Sequence, residues 1–394
     1  MNSTSRVKVD LLCFILIYFI TPVSQAQVLF PENQQPTDIE DLLIGQQTVF
    51  IPQAPGINNS GFPSQAICTL KANDTKNIMM ATGQGTYILE STKERFSNPV
   101  WKKKIIDKTF DNVNGNYSIG IGSLFFNDNE RKWLGIYDAK DGLGIASLPN
   151  VDRPSCFGII GALETQQDFT NAKNIGPILK SPTPLFVEGW EAKFGPAEAW
   201  RLQGLGEPTA CLSKDGNSLM CWYTDWNGRI ENGSQICLAR SPVDGCSSAD
   251  SWQKYFEGEF AEPGLGGKET AVIVSREKSD CFSPQVQFVK EWDKYLMVFG
   301  CLVYSEINQR DFIESGFYLS TSVDGISWTS PKLLIPLLPM LLSAQSCYGH
   351  PSLLIDFSNP EKIQGTLLYA HSPAWPRMPH RLTGNRFTIK HVKK

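Results

Sequence analysis

The sequence predicts an all-β protein built as a five-bladed β-propeller, and three features predict it. Segments with a helical period are few, and short apolar runs are broken throughout by Gly, Asn, Asp and Pro. That is the pattern of many strands joined by tight turns. A four-residue phrase also recurs five times, as Gly61-Phe62-Pro63-Ser64, Gly120-Ile121-Gly122-Ser123, Gly206-Glu207-Pro208-Thr209, Phe282-Ser283-Pro284-Gln285 and Gly349-His350-Pro351-Ser352. Each copy opens a strand and is answered, after a turn, by a second apolar strand. Those second strands end at Met80-Ala81-Thr82, Ile136-Tyr137-Asp138, Trp222-Tyr223-Thr224-Asp225, Val303-Tyr304-Ser305-Glu306 and Tyr369-Ala370-His371. The copies stand about 60 to 85 residues apart, room for a four-stranded blade and its loops.

Each element has a local cause. Proline is tolerated at the first residue of a strand, where its missing N–H is not needed. It also pushes the preceding residue into extended backbone, so a repeated X-Pro is an entry signal. The second copy carries Gly for Pro and is the weakest match. Lys214-Asp215-Gly216-Asn217 between two apolar runs is a hairpin signal. The alternative architecture is a β-sandwich with a second β domain; the repeat favours the radial one. Leu333 to Leu342 is almost wholly apolar but interrupted by Pro336 and Pro339, too short and broken to span a membrane. It is expected to fill the gap between the fourth and fifth blades, the alternative being a loop that meets lipid or a partner.

The chain is expected to divide into a signal peptide (1–26), an N-terminal segment (27–54) and the propeller (55–394). Arg6 and Lys8 precede an apolar run from Leu11 to Ile20, and Ser24-Gln25-Ala26 supplies small residues for cleavage. The expected location is therefore secreted or extracellular, periplasmic in a bacterium, with no transmembrane segment. A net charge of −4 gives no basic surface for nucleic acid. With 19% charged and 11% aromatic residues, the composition suits a large core rather than disorder.

Beyond Cys13 the cysteines are Cys68, Cys156, Cys211, Cys221, Cys237, Cys246, Cys281, Cys301 and Cys347, with no CxxC pair. In an oxidising compartment disulfides are the better reading. Cys237/Cys246 flank one loop, while Cys211/Cys221 and Cys281/Cys301 flank hairpins. The connectivity stays open. Sequons at Asn58, Asn73, Asn116 and Asn232 mark exposed loops if the chain is glycosylated.

In a blade the start of the first strand and the end of the second share one face. Phe62, Ile121, Glu207, Ser283 and His350 should therefore ring one mouth of the channel with Thr82, Asp138, Asp225, Glu306 and His371. Trp222, Trp226 and Trp375 lie nearby in sequence. Carboxylates, imidazoles and aromatic faces together suit a sugar: rings stack on it, and carboxyls bond its hydroxyls or move protons. The expected partner is an oligo- or polysaccharide, with His350, His371, Glu306, Trp222, Trp226 and Phe62 as binding residues.

Over roughly residues 55–394 the five phrases, with the hairpin from Gly206-Glu207-Pro208-Thr209 to Tyr223-Thr224-Asp225 and the segment from Gly349-His350-Pro351-Ser352 to Tyr369-Ala370-His371, resemble glycoside hydrolase family 43 and its propeller relatives. The Ser322-Val323-Asp324-Gly325-Ile326-Ser327-Trp328 phrase is similar to the outer hairpin of such propellers; locally it is a turn capped by Asp with Trp packed beneath. The resemblance implies three acids from the first three blades and a fifth-blade His near the axis. Glu207 stands close to the Glu that acts as acid, although the family places a Gly between this Glu and Pro, and His350 stands at the place of the His. Phe62 and Ile121 stand where the resemblance expects Asp, and neither can move a proton. With Glu207 as acid, the base would be Asp138 or Asp225. As simple turn caps, Asp138 and Asp225 would need no ligand, and His350 could be structural. No EF-hand or HExxH motif is present, so no cofactor is expected, although the resemblance admits a single axial cation such as calcium at His350. Two functions remain: a glycoside hydrolase, or a carbohydrate-binding or interaction propeller that has lost hydrolysis.

Overall fold

The computed structural model describes residues 30, 35–51, 67–72, 75–82, 85–91, 100–106, 119–128, 130–141, 157–166, 172–182, 203–226, 233–274, 279–304, 310–336, 345–375 and 381–392. Among them the chain is all-β, apart from two 3-10 turns at Val243–Gly245 and Ala249–Ser251. No helix among the described residues is long and apolar enough to cross a membrane.

The strands follow one another as antiparallel meanders. After β1 (Ile39–Ile51), the first meander is β2 (Cys68–Ala72), β3 (Thr75–Thr82), β4 (Gly85–Ser91) and β5 (Val100–Ile106). The second is β6 (Ile119–Asn127), β7 (Lys132–Asp141), β8 (Phe157–Thr165) and β9 (Lys173–Leu179). The third is β10 (Gln203–Leu212), β11 (Ser218–Asp225), β12 (Gln235–Pro242), β13 (Gln253–Phe256) and β14 (Glu259–Pro263). A short parallel pairing of Gln203 and Gly204 with Phe157 and Gly158 joins these two into one sheet. The fourth is β15 (Ser279–Val289), β16 (Lys294–Tyr304), β17 (Arg310–Ser322) and β18 (Lys332–Pro336). The last is β19 (Gln345–Ser358), β20 (Lys362–Trp375) and β21 (Arg381–His391), completed by β1 on its outer edge.

The repeated phrase has a physical job at two of its positions. Its second residue sits in a bulge. The ladder skips from Gly206 to Thr209, from Phe282 to Gln285 and from Gly349 to Ser352. Glu207, Ser283 and His350 adopt φ of 53°, 51° and 52° there. The second copy has a shorter bulge, from Ile121 to Ser123. A Cβ on Gly122 would lie 2.1 Å from the Pro208 carbonyl oxygen, which is why this copy carries Gly where the others carry Pro. The fourth residue of the phrase accepts a hydrogen bond from the next first strand. Ser123 Oγ takes Ala210 N–H (2.7 Å), Thr209 Oγ1 takes Val286 N–H (3.3 Å) and Gln285 Oε1 takes Leu353 N–H (3.0 Å). Ser352 Oγ takes Ile67 N–H (2.7 Å), tying the last meander to the start of the first.

Apolar clusters fill the space between successive sheets. Ile136 and Ile160 meet Leu219, Cys221 and Tyr223; Trp222 and Leu238 meet Met297 and Phe299; Val298 and Leu319 meet Leu367 and Tyr369. Residues of the N-terminal segment are built into this core. Phe30 packs edge-on against Phe299 and Tyr318. Asp38 forms an ion pair with Lys294 and accepts Thr321 Oγ1 at 2.5 Å. The apolar stretch from Leu333 starts within β18, and residues 337–344 lie outside the described residues.

The turn Ser322 to Trp328 is built as expected. Asp324 Oδ1 accepts Ile326 N–H (2.8 Å) and Ser327 N–H (2.7 Å), and Trp328 Nε1 donates to Gly325 O (3.1 Å). The cysteine expectations fare unevenly. No sulfur of Cys211, Cys221, Cys237, Cys246, Cys281 or Cys301 stands at bonding distance from another. Cys211 lies across from Met220 rather than Cys221, and the two pack into clusters on opposite faces of their sheet, so they cannot be bridged. Cys237 pairs across the ladder with Tyr223, while the Cys246 thiol donates to Val243 O at 3.0 Å.

Candidate functional site

The bulges bring Glu207, Ser283 and His350 together from three successive first strands. Glu207, 8% exposed, stands at the centre. Its Oε2 accepts Thr224 Oγ1–H at 2.8 Å and Ser283 N–H at 2.8 Å. That N–H is shared with Thr224 Oγ1 at 3.0 Å. Glu207 Oε1 lies 3.5 Å from His350 Nδ1, and Ser283 Oγ lies 3.1 Å from the same nitrogen. The donors around Glu207 complement negative charge on its carboxyl. A serine and an acid meeting one ring nitrogen do not form a Ser–His–acid relay, which needs them on opposite nitrogens. The arrangement is therefore not that of an acyl-transfer nucleophile.

Asp138, three residues before the end of β7, comes in from the second meander. Its Oδ2 accepts the Glu207 N–H at 3.4 Å. Gly206 makes room: a Cβ there would sit 3.1 Å from Trp226 Nε1 and 3.2 Å from Asp138 Oδ2. Trp226 in turn stacks on Phe282, with centroids 6.3 Å apart and rings 29° from parallel. Glu207, Asp138, His350 and Trp226 thus lie close together.

The other candidates go elsewhere. Thr224, not Asp225, reaches Glu207, because adjacent residues on a strand point to opposite faces. Asp225 bears on the neighbouring interface, where its charge adds to burial in raising Tyr223, Cys237 and Glu269. Burial is the main cause that pushes the Glu269 carboxyl up to about 7, against the pull of Lys254. Lys254 is itself wholly buried, bonded to Glu269 and to the carbonyls of Lys180 and Gly267. Trp222 is fully buried, donates to Gly325 O at 2.9 Å and packs edge-on against Trp328, so neither ring face is open to a sugar. His371 Nδ1 lies 3.4 Å from Gln47 Nε2 of β1. Phe62 and Glu306 lie outside the described residues. Ile121 is 1% exposed and fills the core. Thr224 and Ser283 carry no role in the sequence reading. The signal for Ser283 is its place at the second position of the phrase, the same as that of Glu207 and His350.

Among the described residues no three His, Cys, Asp or Glu side chains converge as a metal cage. The Nδ1 of His350 already faces Ser283 and Glu207. The donor set does not by itself fit an axial cation.

No family model and no curated protein matches the chain. Solved structures do. A thermostable family-43 glycoside hydrolase superposes with a TM-score of 0.50 at 14% identity, over 85% of this chain and 91% of that one. The likeness is one of fold. An α-L-arabinofuranosidase from Lactobacillus brevis gives a TM-score of 0.48 at 13% identity, over 82% and 90% of the two chains. An α-L-arabinanase from Penicillium chrysogenum gives 0.46 at 13%, over 87% and 86%.

Proposed function

We propose that this chain is an exported five-bladed β-propeller that acts on oligo- or polysaccharide as a glycoside hydrolase, with Glu207 as the general acid. The reading is carried by the contact of Glu207 with Asp138, two buried carboxyl residues from neighbouring meanders at the end where the first strands begin. Glycoside hydrolysis needs two carboxyls flanking one bond. Thr224 and Ser283 fix Oε2 of Glu207, and Oε1, the oxygen that faces His350, gives the proton to the leaving oxygen. Asp138 then activates water or attacks the sugar, and the Trp226 indole offers an aromatic wall. Five blades are supported by the five meanders and by the bond from Ile67 to Ser352, which links the last to the first.

A second reading, a glycan-binding propeller without hydrolysis, is favoured by Ile121, an aliphatic side chain where the resemblance expects an acid. Residues 27–394 and the Glu207→Gln variant, assayed on aryl glycosides and polysaccharides, separate the two. As a hydrolase, the variant loses turnover by about 100-fold or more at unchanged substrate affinity. Saturable glycan binding by both proteins with no turnover establishes the second reading. Neither turnover nor binding overturns both.

A further inference from the structure

Cys281 on β15 and Cys301 on β16 stand directly opposite one another in an antiparallel ladder. Residues so opposed share a face and hold their Cα atoms about 4.5–5.5 Å apart, within the span of a disulfide. Their sulfurs are 3.9 Å apart, and both side chains are wholly buried in the cluster that holds Trp222, Val286 and Phe299. Among Cys211, Cys221, Cys237, Cys246, Cys281 and Cys301, no other two sulfurs are in contact.

The surroundings hold this pair in register. Cys281 N–H donates to Ser234 O (2.8 Å), Ser234 Oγ donates to Cys281 O (3.2 Å), and Ser234 N–H donates to Asp280 Oδ1 (2.9 Å). On β16, the Phe282 ring occupies the space over Gly300, where a Cβ would come within 2.6 Å of it. Both strands are thus locked on either side of the sulfurs, and bonding requires the sulfurs to close by roughly 2 Å through side-chain rotation.

We propose that Cys281 and Cys301 are joined by a cross-strand disulfide when the chain folds in an oxidising compartment. The oxidant is a disulfide of low molecular weight or of a protein. One cysteine thiolate attacks it and expels one thiol; the second cysteine then attacks the mixed disulfide and expels the other. Two electrons pass to the oxidant, and the two protons lost from the cysteines end on the two expelled thiols. Within the folded molecule the Cys301 thiol is held well above its ordinary range, by the Cys281 thiol beside it and by burial. Exchange therefore belongs to the stage before the core covers the pair. The bond braces β15 against β16 two residues before Ser283, whose N–H and hydroxyl meet Glu207 and His350.

The test is independent of any glycan activity. Residues 27–394 are folded in glutathione disulfide and glutathione, blocked with N-ethylmaleimide in denaturant without reductant, digested and mapped by mass spectrometry. The expected map shows the Cys281 and Cys301 peptides linked, separating on reduction, with near-complete loss of maleimide at both. In the Cys301→Ala variant, Cys281 is expected to carry the maleimide. Maleimide on both cysteines of the parent chain, or either one linked to a different cysteine, overturns the proposal.

Discussion

Glu207, Ser283 and His350 hold left-handed backbone that costs a residue with a Cβ about 1 to 3 kcal/mol. Such backbone persists only where the surroundings over-determine it. Here the compensation is visible: the Ser283 N–H freed by the bulge lands on Glu207, and its hydroxyl lands on His350. Thr224 completes the arrangement from the side. Replacing Thr224 with Val keeps its shape and removes one donor to a charged oxygen, worth about 1.5 to 3 kcal/mol. The expected outcome is a fall in kcat of about tenfold or more, with the far-UV spectrum unchanged. Unaltered kcat in a hydrolytically active protein would mean that Thr224 does not position the acid. From sequence, Asp225 is the candidate and Thr224 carries no role, because a carboxylate is the more tempting. Their facing is fixed by strand alternation beyond a bulge that offsets the register by one residue, and no local residue pattern encodes that offset. Trp222 misleads for a similar reason: an indole beside a mouth and an indole beneath a turn read alike until the partner, Gly325, is known.

At the scale of the element, what is local is legible. The Asp215-Gly216 turn forms between β10 and β11, with Gly216 at φ 75° and Asp215 Oδ1 taking the Asn217 N–H at 3.1 Å. The repeated phrase is equally legible as a strand entry. Its fourth residue is not, because its hydrogen bond reaches a strand 68 to 87 residues away. Gly122 is the instructive exception among the copies. Its neighbour is a backbone carbonyl, which cannot rotate aside as a side chain would. Gly122→Ala is therefore expected to destabilise the fold by about 1 to 3 kcal/mol, read as a lower urea midpoint at unchanged m-value. A midpoint equal to that of the parent would show that β6 and β10 can move apart freely. The ends of these two strands lie beside Glu207, so the same variant is expected to lower turnover as well.

At the scale of the molecule, the first strand completes the last sheet, pairing Ile39 with His391 and Ile51 with Leu382. No sequence signal joins positions so far apart, which is why residues 27–54 read as a segment separate from the propeller. The strand is pinned at its start by Asp38, which faces Lys294, Thr321 and His391, with His391 Nε2 3.4 Å away. Burial pushes the Asp38 carboxyl up, but the bonds from Lys294 and Thr321 and the charges of Lys294 and His391 outweigh it and hold the group below its ordinary value. The folded state thus favours the ionised form. Its contribution is present above the ordinary carboxylate value of about 3.9 and is lost as pH falls through the lower folded value. Asp38→Asn removes that contribution at neutral pH and leaves Lys294 partly buried without its counter-charge. The variant is expected to melt several degrees below the parent at pH 7, and the gap is expected to close as pH falls below about 4. Calorimetry at both pH values checks it. A gap that persists at low pH would assign the loss to packing rather than to the charge that fastens the first strand.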